Sequence, residues 1–273
     1  MLVGQNHNQI IANLHFYKMN ALDNDFIIID NRTSKHNFTN IDMRAFCLHL
    51  CYRKNIGCDQ LIIISQAQNV SCQMQIFNAD GSQSGACGNA TRCVAALIFA
   101  ERQDKQTIQI QVGAKILTCT AVDSLNIAVD MGQPQIVYRN LMLHNLNFTC
   151  IDVGNPHAVC FINQALNDND FFSIGKAVEN NLQYFPNRTN VEFAQITNDS
   201  NIAVRVWERG VGETSACGSG ACAVAVAARL NNLINSDEVN INFTAGSLLI
   251  NWQNQQQIIM TGGFAKIFTG VLF

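Results

Sequence analysis

Residues 86 to 96 read Ala86-Cys-Gly-Asn-Ala-Thr-Arg-Cys-Val-Ala-Ala96, and residues 216 to 226 read Ala216-Cys-Gly-Ser-Gly-Ala-Cys-Ala-Val-Ala-Val226. Cys217 follows Cys87 by 130 positions, just under half of the 273-residue chain. At the same offset Gln60 falls on Asn190, Asn78 on Glu208 and Asn89 on Ser219. Asn24 and Asn155 differ by 131, and each opens an apolar run, Phe26-Ile-Ile-Ile29 and Ala158-Val-Cys-Phe-Ile162. One shared motif can be chance. Polar matches at this many positions, in one order, point to an internal duplication of two halves facing one another.

The local pattern repeats as well. Gln73–Phe77 and Ile202–Trp207 alternate or run apolar with β-branched residues, which predicts strands. A polar loop with glycine follows in each half, Asp80–Gly85 and Arg209–Ser215. After the Cys-Gly pair, Gly88–Arg102 and Gly218–Leu230 are apolar nearly all round, the signature of a helix enclosed on every side. Strand-like segments surround each helix, among them Thr107–Val112, Lys115–Val122 and Asn240–Ile250. The expected class is therefore α/β (α+β), with a sheet wrapped around a buried helix in each half.

Composition narrows the function classes. Hydrophobic residues make up 48% and charged residues 14%, enough apolar material for a large core and too little charge for a disordered chain. With a net charge of −3 and a pI near 6.0, no basic field exists to hold a phosphate backbone, so no nucleic-acid partner is expected. No stretch reaches the ~20 apolar residues that span a bilayer, and Met1–Asn13 lacks the basic and apolar regions of a secretory signal. Eleven cysteines, an odd number, argue against a disulfide framework and for a reducing cytoplasm. Nine of them, Cys47, Cys51, Cys58, Cys72, Cys93, Cys119, Cys150, Cys160 and Cys222, are expected as small buried hydrophobes. Cys47, His49 and Cys51 lie on a predicted amphipathic helix, Met43–Lys54, as packing residues, because their spacing fits no usual zinc set. Gly218-Ser-Gly-Ala-Cys-Ala223 matches a dinucleotide fingerprint, but a long loop separates it from the preceding strand. No metal site and no cofactor are expected. Residues before Leu14 are expected to form a tail.

Cys87 and Cys217 differ from the other nine by their setting. Each is placed at the N-terminus of a buried helix, where the helix dipole favours a thiolate and unsatisfied N–H groups can receive a carboxylate. Two such thiols on opposite sides of one small anionic substrate could invert a carbon centre. One would remove the α-proton and the other would deliver a proton to the opposite face, while helix N–H groups stabilise the carbanionic transition state.

Asn78-Ala-Asp-Gly-Ser82 followed by Cys87-Gly-Asn89 and Arg92-Cys93 resembles the first signature of the diaminopimelate epimerase family. Glu208-Arg-Gly-Val-Gly-Glu-Thr-Ser-Ala-Cys-Gly-Ser-Gly-Ala221 resembles the second. Lys18–Phe26, Gly57–Leu61, Gly154–Ala158 and Phe185–Asn190 are similar to the family's other blocks, in order. The resemblance implies two pseudo-symmetric halves, each a curled, mostly antiparallel sheet around a central helix. Residues 1–131 form the half with Cys87, residues 132–263 the half with Cys217, and a strand at about 264–273 returns to the first. It implies interconversion of LL- and meso-diaminopimelate without pyridoxal phosphate, in lysine and peptidoglycan biosynthesis, by a cytoplasmic homodimer. Cys87 and Cys217 become the acid/base pair, with His157 and Glu208 tuning the thiols. Asn24, Gln60, Asn78, Gly88, Asn89, Asn155, Asn190, Glu208, Arg209, Gly218 and Ser219 become the substrate-binding set, with Arg209 toward the distal carboxylate and Glu208 toward an ammonium group. Three positions depart from the family pattern: Asn20-Ala-Leu-Asp23, Ala90 and Gly263. The first borders the site and leaves open a racemase or isomerase of the same fold that acts on another amino acid.

Overall fold

The structure is a computed structural model that describes residues 13–33, 36–102, 104–253 and 256–272. The tail expected before Leu14 lies almost wholly outside them. The chain divides into two compact units, Met1–Val129 with Gly263–Phe273, and Asp130–Gly262.

Unit 1 begins with β1 (Leu14–Ala21) and β2 (Asn24–Asp30), joined by a two-residue turn, and continues through α1 (Met43–Cys51) to β3 (Gln60–Ser65). It goes on through β4 (Cys72–Asn78), β5 (Gln83–Ser84), α2 (Gly88–Glu101), β6 (Thr107–Val112), β7 (Lys115–Ala121) and β8 (Asn126–Asp130). β1 pairs antiparallel with β2 and with the C-terminal strand (Ala265–Leu272). The α1 crossover makes β2 and β3 parallel, and the α2 crossover does the same for β4 and β6; the β3–β4, β6–β7 and β7–β8 pairs are antiparallel.

Unit 2 repeats this order. β9 (Gln135–Leu143), β10 (Leu146–Asp152) and β11 (Pro156–Phe161) are antiparallel neighbours, and the crossover through α3 (Asp168–Glu179) sets β12 (Asn190–Asn198) parallel to β11. β13 (Asn201–Glu208), β14 (Gly212–Thr214), α4 (Gly218–Leu230), β15 (Glu238–Phe243), β16 (Gly246–Asn251) and β17 (Ile259–Gly263) follow, with β13 parallel to β15 and the rest antiparallel. Each unit is thus a mostly antiparallel sheet with helices on both faces.

Both faces of each sheet are covered, which explains the unbroken apolar runs. Ile27, Ile29, Leu61 and Ile63 pack with Phe46, Cys47, Leu50 and Cys51 of α1. Phe26, Ile28 and Ile62, also fully buried, alternate onto the other face. In unit 2, Ala158, Cys160, Val191 and Phe193 pack with Phe171 and Val178 of α3. Helices α2 and α4 are the central ones: Ala90–Ile98 and Gly220–Ala228 are buried without a solvent-facing stripe. α4 spans the predicted residues, whereas α2 ends one residue early and α1 three residues early, where Tyr52 turns to extended backbone. All nine cysteines assigned to packing are buried, and burial pushes the thiols of Cys47, Cys72, Cys93, Cys119 and Cys150 up to about 12. His49 corrects the packing expectation: it lies on the exposed side of α1, away from Cys47 and Cys51. The departing segment Asn20-Ala-Leu-Asp23 makes the β1–β2 turn, with Leu22 and Asp23 both left-handed (φ 52° and 59°), as a two-residue hairpin of right-handed twist demands.

Candidate active site

Unit 1 gathers six of the predicted residues: Asn24, Gln60, Asn78, Cys87, Gly88 and Asn89. Cys87 is the N-cap of α2, in extended backbone (φ −155°), and its Sγ accepts from the Ala90 N–H at 3.5 Å. The following turn holds Asn89, whose Oδ1 accepts from the wholly buried Arg92 at 2.9 Å, leaving its amide N–H groups for other use. Gln60 stands opposite Asn78 in the β3–β4 ladder, and its Nε2 donates to Asn78 Oδ1 at 2.9 Å.

Direction in this hydrogen-bond chain is set from its far end. The Asp80 carboxylate accepts from the Ser82 hydroxyl (2.6 Å) and the Ser82 N–H, which hold it below its usual pKa. Ser82 Oγ, its proton committed, accepts from Asn78 Nδ2 at 3.0 Å. Asn78 therefore offers Oδ1 to Gln60, and Gln60 is left presenting Oε1, a buried atom with no partner among the described residues. Asn24 Oδ1 is buried and unpartnered in the same way. Gly81 closes the turn at φ +82°, where a Cβ would fall 2.4 Å from Arg44 Cα.

Unit 2 gathers Asn155, His157, Asn190, Glu208, Arg209, Cys217, Gly218 and Ser219. Cys217 is the N-cap of α4, and its Sγ accepts from Gly220 N–H at 3.4 Å and lies 3.5 Å from Ser219 Oγ. Asn155 Nδ2 donates to Ser219 Oγ at 3.2 Å. Asn190 Oδ1 accepts from the Arg209 N–H at 2.9 Å, and the Arg209 guanidinium donates to Asn187 O at 3.0 Å. Glu179, nearly buried, accepts from Trp207 Nε1 and Gly210 N–H, both at 2.7 Å, and so anchors the turn that carries Arg209.

A helix end was expected to lower the pKa of each cysteine. For Cys217 the structure reverses this: burial, and then the carboxylates of Glu208 and Glu192, push the thiol well above its usual range despite hydrogen bonds with Ser219 and Gly220. Desolvation and two like charges outweigh half a unit charge at a helix end. Burial also raises the Glu208 carboxyl, against a 2.5 Å hydrogen bond from Thr214, the His157 ring and a hydrogen bond with Cys217.

Sequence reasoning missed Glu192. Its Oε1 lies 2.6 Å from His157 Nδ1, and neither side chain has any exposure. His157 Nε2 and Glu192 Oε2 have no partner among the described residues. In Asn190-Val-Glu-Phe193 the acid alternates with apolar residues and reads as solvent-facing. The available signal was its 130-residue counterpart, Ile62, inside a run too apolar for an open face.

The family model described as diaminopimelate epimerase matches residues 16–137 and 149–267. A diaminopimelate epimerase of Rhodospirillum centenum is 35% identical over 273 residues, covering 94% of this chain and 91% of its own. Two solved structures share the fold at low identity. A predicted epimerase from Pseudomonas aeruginosa has a TM-score of 0.71 at 14% identity, over 95% of this chain and 99% of its own. A hydroxyproline epimerase from Agrobacterium vitis has a TM-score of 0.68 at 10% identity, over 95% and 92%. The family match and the 35% identical relative settle the class as an isomerase, and the chain belongs to the diaminopimelate epimerase family.

Proposed function

We propose that the protein interconverts LL- and meso-2,6-diaminopimelate by a two-base mechanism, with Cys87 and Cys217 on opposite faces of one α-carbon. The observation that carries this reading is the pair of N-capping thiols, one per unit, in a chain of this family. One sulfur, as thiolate, takes the α-proton. The other, as thiol, delivers its proton to the opposite face. The two have then exchanged protonation states, and the reverse reaction runs through the same atoms. Burial and the carboxylates of Glu208 and Glu192 favour the thiol form of Cys217, the donor's form, in the resting enzyme.

The carbanionic transition state is met by the N–H groups around Gly88-Asn89 and Gly218-Ser219, which receive the reacting carboxylate at two helix N-termini. Asn24, Gln60, Asn78, Asn155, Asn190, Glu208 and Arg209 bind the rest of the substrate. Arg209 is suited to the distal carboxylate, and Glu208 and the acceptor oxygens of Asn24 and Gln60 to ammonium groups. His157 and Glu208 tune the thiols. No cofactor enters the scheme. The reaction serves lysine and peptidoglycan biosynthesis in the cytoplasm, by a homodimer; among the described residues no helix is long and apolar enough to cross a membrane.

Incubation with LL-diaminopimelate in D2O tests the assignment. Wild type is expected to incorporate α-deuterium and form the meso isomer, and Cys87→Ala and Cys217→Ala are expected to lose epimerisation. Absence of exchange with wild type rejects the substrate, and exchange indifferent to both substitutions rejects the two-thiol mechanism.

A further inference from the structure

The duplication breaks at one buried spot. In the parallel β2–β3 ladder Phe26 lies beside Gln60 and Ile28 beside Ile62; in β11–β12 His157 lies beside Asn190 and Val159 beside Glu192. His157 and Glu192 thus occupy in unit 2 the places of Phe26 and Ile62 in unit 1. Both of those are fully buried, so the architecture closes well with an apolar pair there. Unit 2 instead carries two ionisable groups with no exposure. Such pairs rarely stabilise relative to apolar residues of similar size, because desolvation cancels their attraction. Packing alone does not account for the exchange.

A third position changed with them. Ala90 of α2 corresponds to Gly220 of α4, and a Cβ at Gly220 would fall 2.8 Å from Glu192 Oε1. The missing methyl is the space the carboxylate occupies. The groups around it are Cys150 on β10, His157 on β11, Glu208 on β13 and Cys217 on α4.

The geometry dictates what Glu192 does to the ring. A carboxylate only accepts, so at 2.6 Å His157 Nδ1 carries the proton. Which nitrogen of a neutral imidazole carries the proton is set by the bond the other one makes, so in the neutral ring Nε2, with no partner among the described residues, keeps its lone pair. We propose that Glu192 is a positioning residue for the epimerisation, holding His157 in the Nδ1–H tautomer so that Nε2 stands as an unprotonated acceptor in the reacting site. The inference rests on the epimerase reading for its catalytic consequence.

The test uses the full chain with ¹⁵N-labelled histidine, the His157 signals being assigned by their loss in His157→Asn. Wild-type His157, where neutral, is expected in the Nδ1–H form. Glu192→Gln, which can turn its NH2 toward the ring, is expected to lose that preference and to lower kcat on the order of 100-fold, the low end of acid–base contributions, with KM changed by less than about 3-fold. A variant that copies unit 1, with His157→Phe, Glu192→Ile and Gly220→Ala together, is expected to remain folded with a urea midpoint no lower than wild type and to lose turnover. An Nε2–H tautomer in wild type overturns the proposal, as does wild-type kcat in Glu192→Gln. If wild type exchanges no α-proton of diaminopimelate, the epimerase reading fails, while the tautomer measurement still decides whether Glu192 holds the ring.

Discussion

A single methyl group added at position 220 sets two known effects against each other. In the first turn of α4, Gly220→Ala should gain up to about 1 kcal/mol from helix propensity. The same methyl would lie 2.8 Å from Glu192 Oε1, 3.2 Å from Cys217 Cβ and 3.4 Å from Cys217 Sγ, inside the 3.5–4.0 Å optimum for non-bonded atoms. Glu192 has little room to retreat, because it is fully buried and bonded to His157 at 2.6 Å. Overpacking of this kind costs about 1–3 kcal/mol. The cost wins, and the net expectation is a loss of about 1 kcal/mol, close to a five-fold fall in the folded-to-unfolded ratio. Urea unfolding at constant m-value reads the stability change, and deuterium incorporation into diaminopimelate reads the activity, expected to fall about 10-fold as the carboxylate is displaced. Ala90→Gly, the reverse change in unit 1, should cost at least about 1 kcal/mol through propensity alone. A Gly220→Ala protein that is about 1 kcal/mol more stable than wild type and turns over normally would refute the reasoning, since Glu192 would then not be held where the structure has it.

Three further outcomes follow from the site. The folded pKa of Glu208 is raised, so its contribution to stability is present at pH below about 4.5 and is lost as pH rises through the shifted value; the stability advantage of Glu208→Gln over wild type should therefore grow from pH 4 to pH 8, and a flat or shrinking difference in urea midpoints would contradict the burial argument. Iodoacetamide at neutral pH should alkylate the half-buried Cys87 well before Cys217, whose thiol form is favoured; peptide mapping that finds Cys217 modified first would reverse the proposed resting roles. Ser82→Ala should free the amides of Asn78 and Gln60 to turn over, raising KM several-fold with kcat little changed, since one hydrogen bond is worth about 1 kcal/mol; an unchanged KM would show that the chain of bonds does not orient Gln60.

Much of this architecture was legible because it is written twice. The matched Cys-Gly pairs, the all-round apolar helices after them and the 130-residue offset located both central helices, and α4 to the residue. The α3 crossover was not read, although Phe171, Ile174 and Val178 recur at helical spacing, because Asn167-Asp-Asn-Asp170 before them looks like a polar loop; in the structure Asn167 is the cap, accepting from Asp170 N–H. The candidate site residues tied to a motif lie in the units where the duplication places them. Those that act through others were not read: Glu192, Glu179 and Ser82 look in sequence like an exposed strand acid, a helix-end acid and a loop serine. Their roles depend on which face of a strand is covered and on who holds the proton, and neither is a property of one stretch of chain. The same holds for Cys217, where a local rule about helix ends lost to burial and then to two carboxylates brought in from β13 and β12.

The bond chain that runs from Asp80 through Ser82 and Asn78 to Gln60 has a sense of direction, like a one-way street. Because its closed end is an anion that cannot donate, each amide along the row is turned one way, and the atom left open at Gln60 is its oxygen. On the proposed reading, the hydrogens of a substrate ammonium group meet an acceptor whose outward turn is fixed by a carboxylate that the substrate never touches.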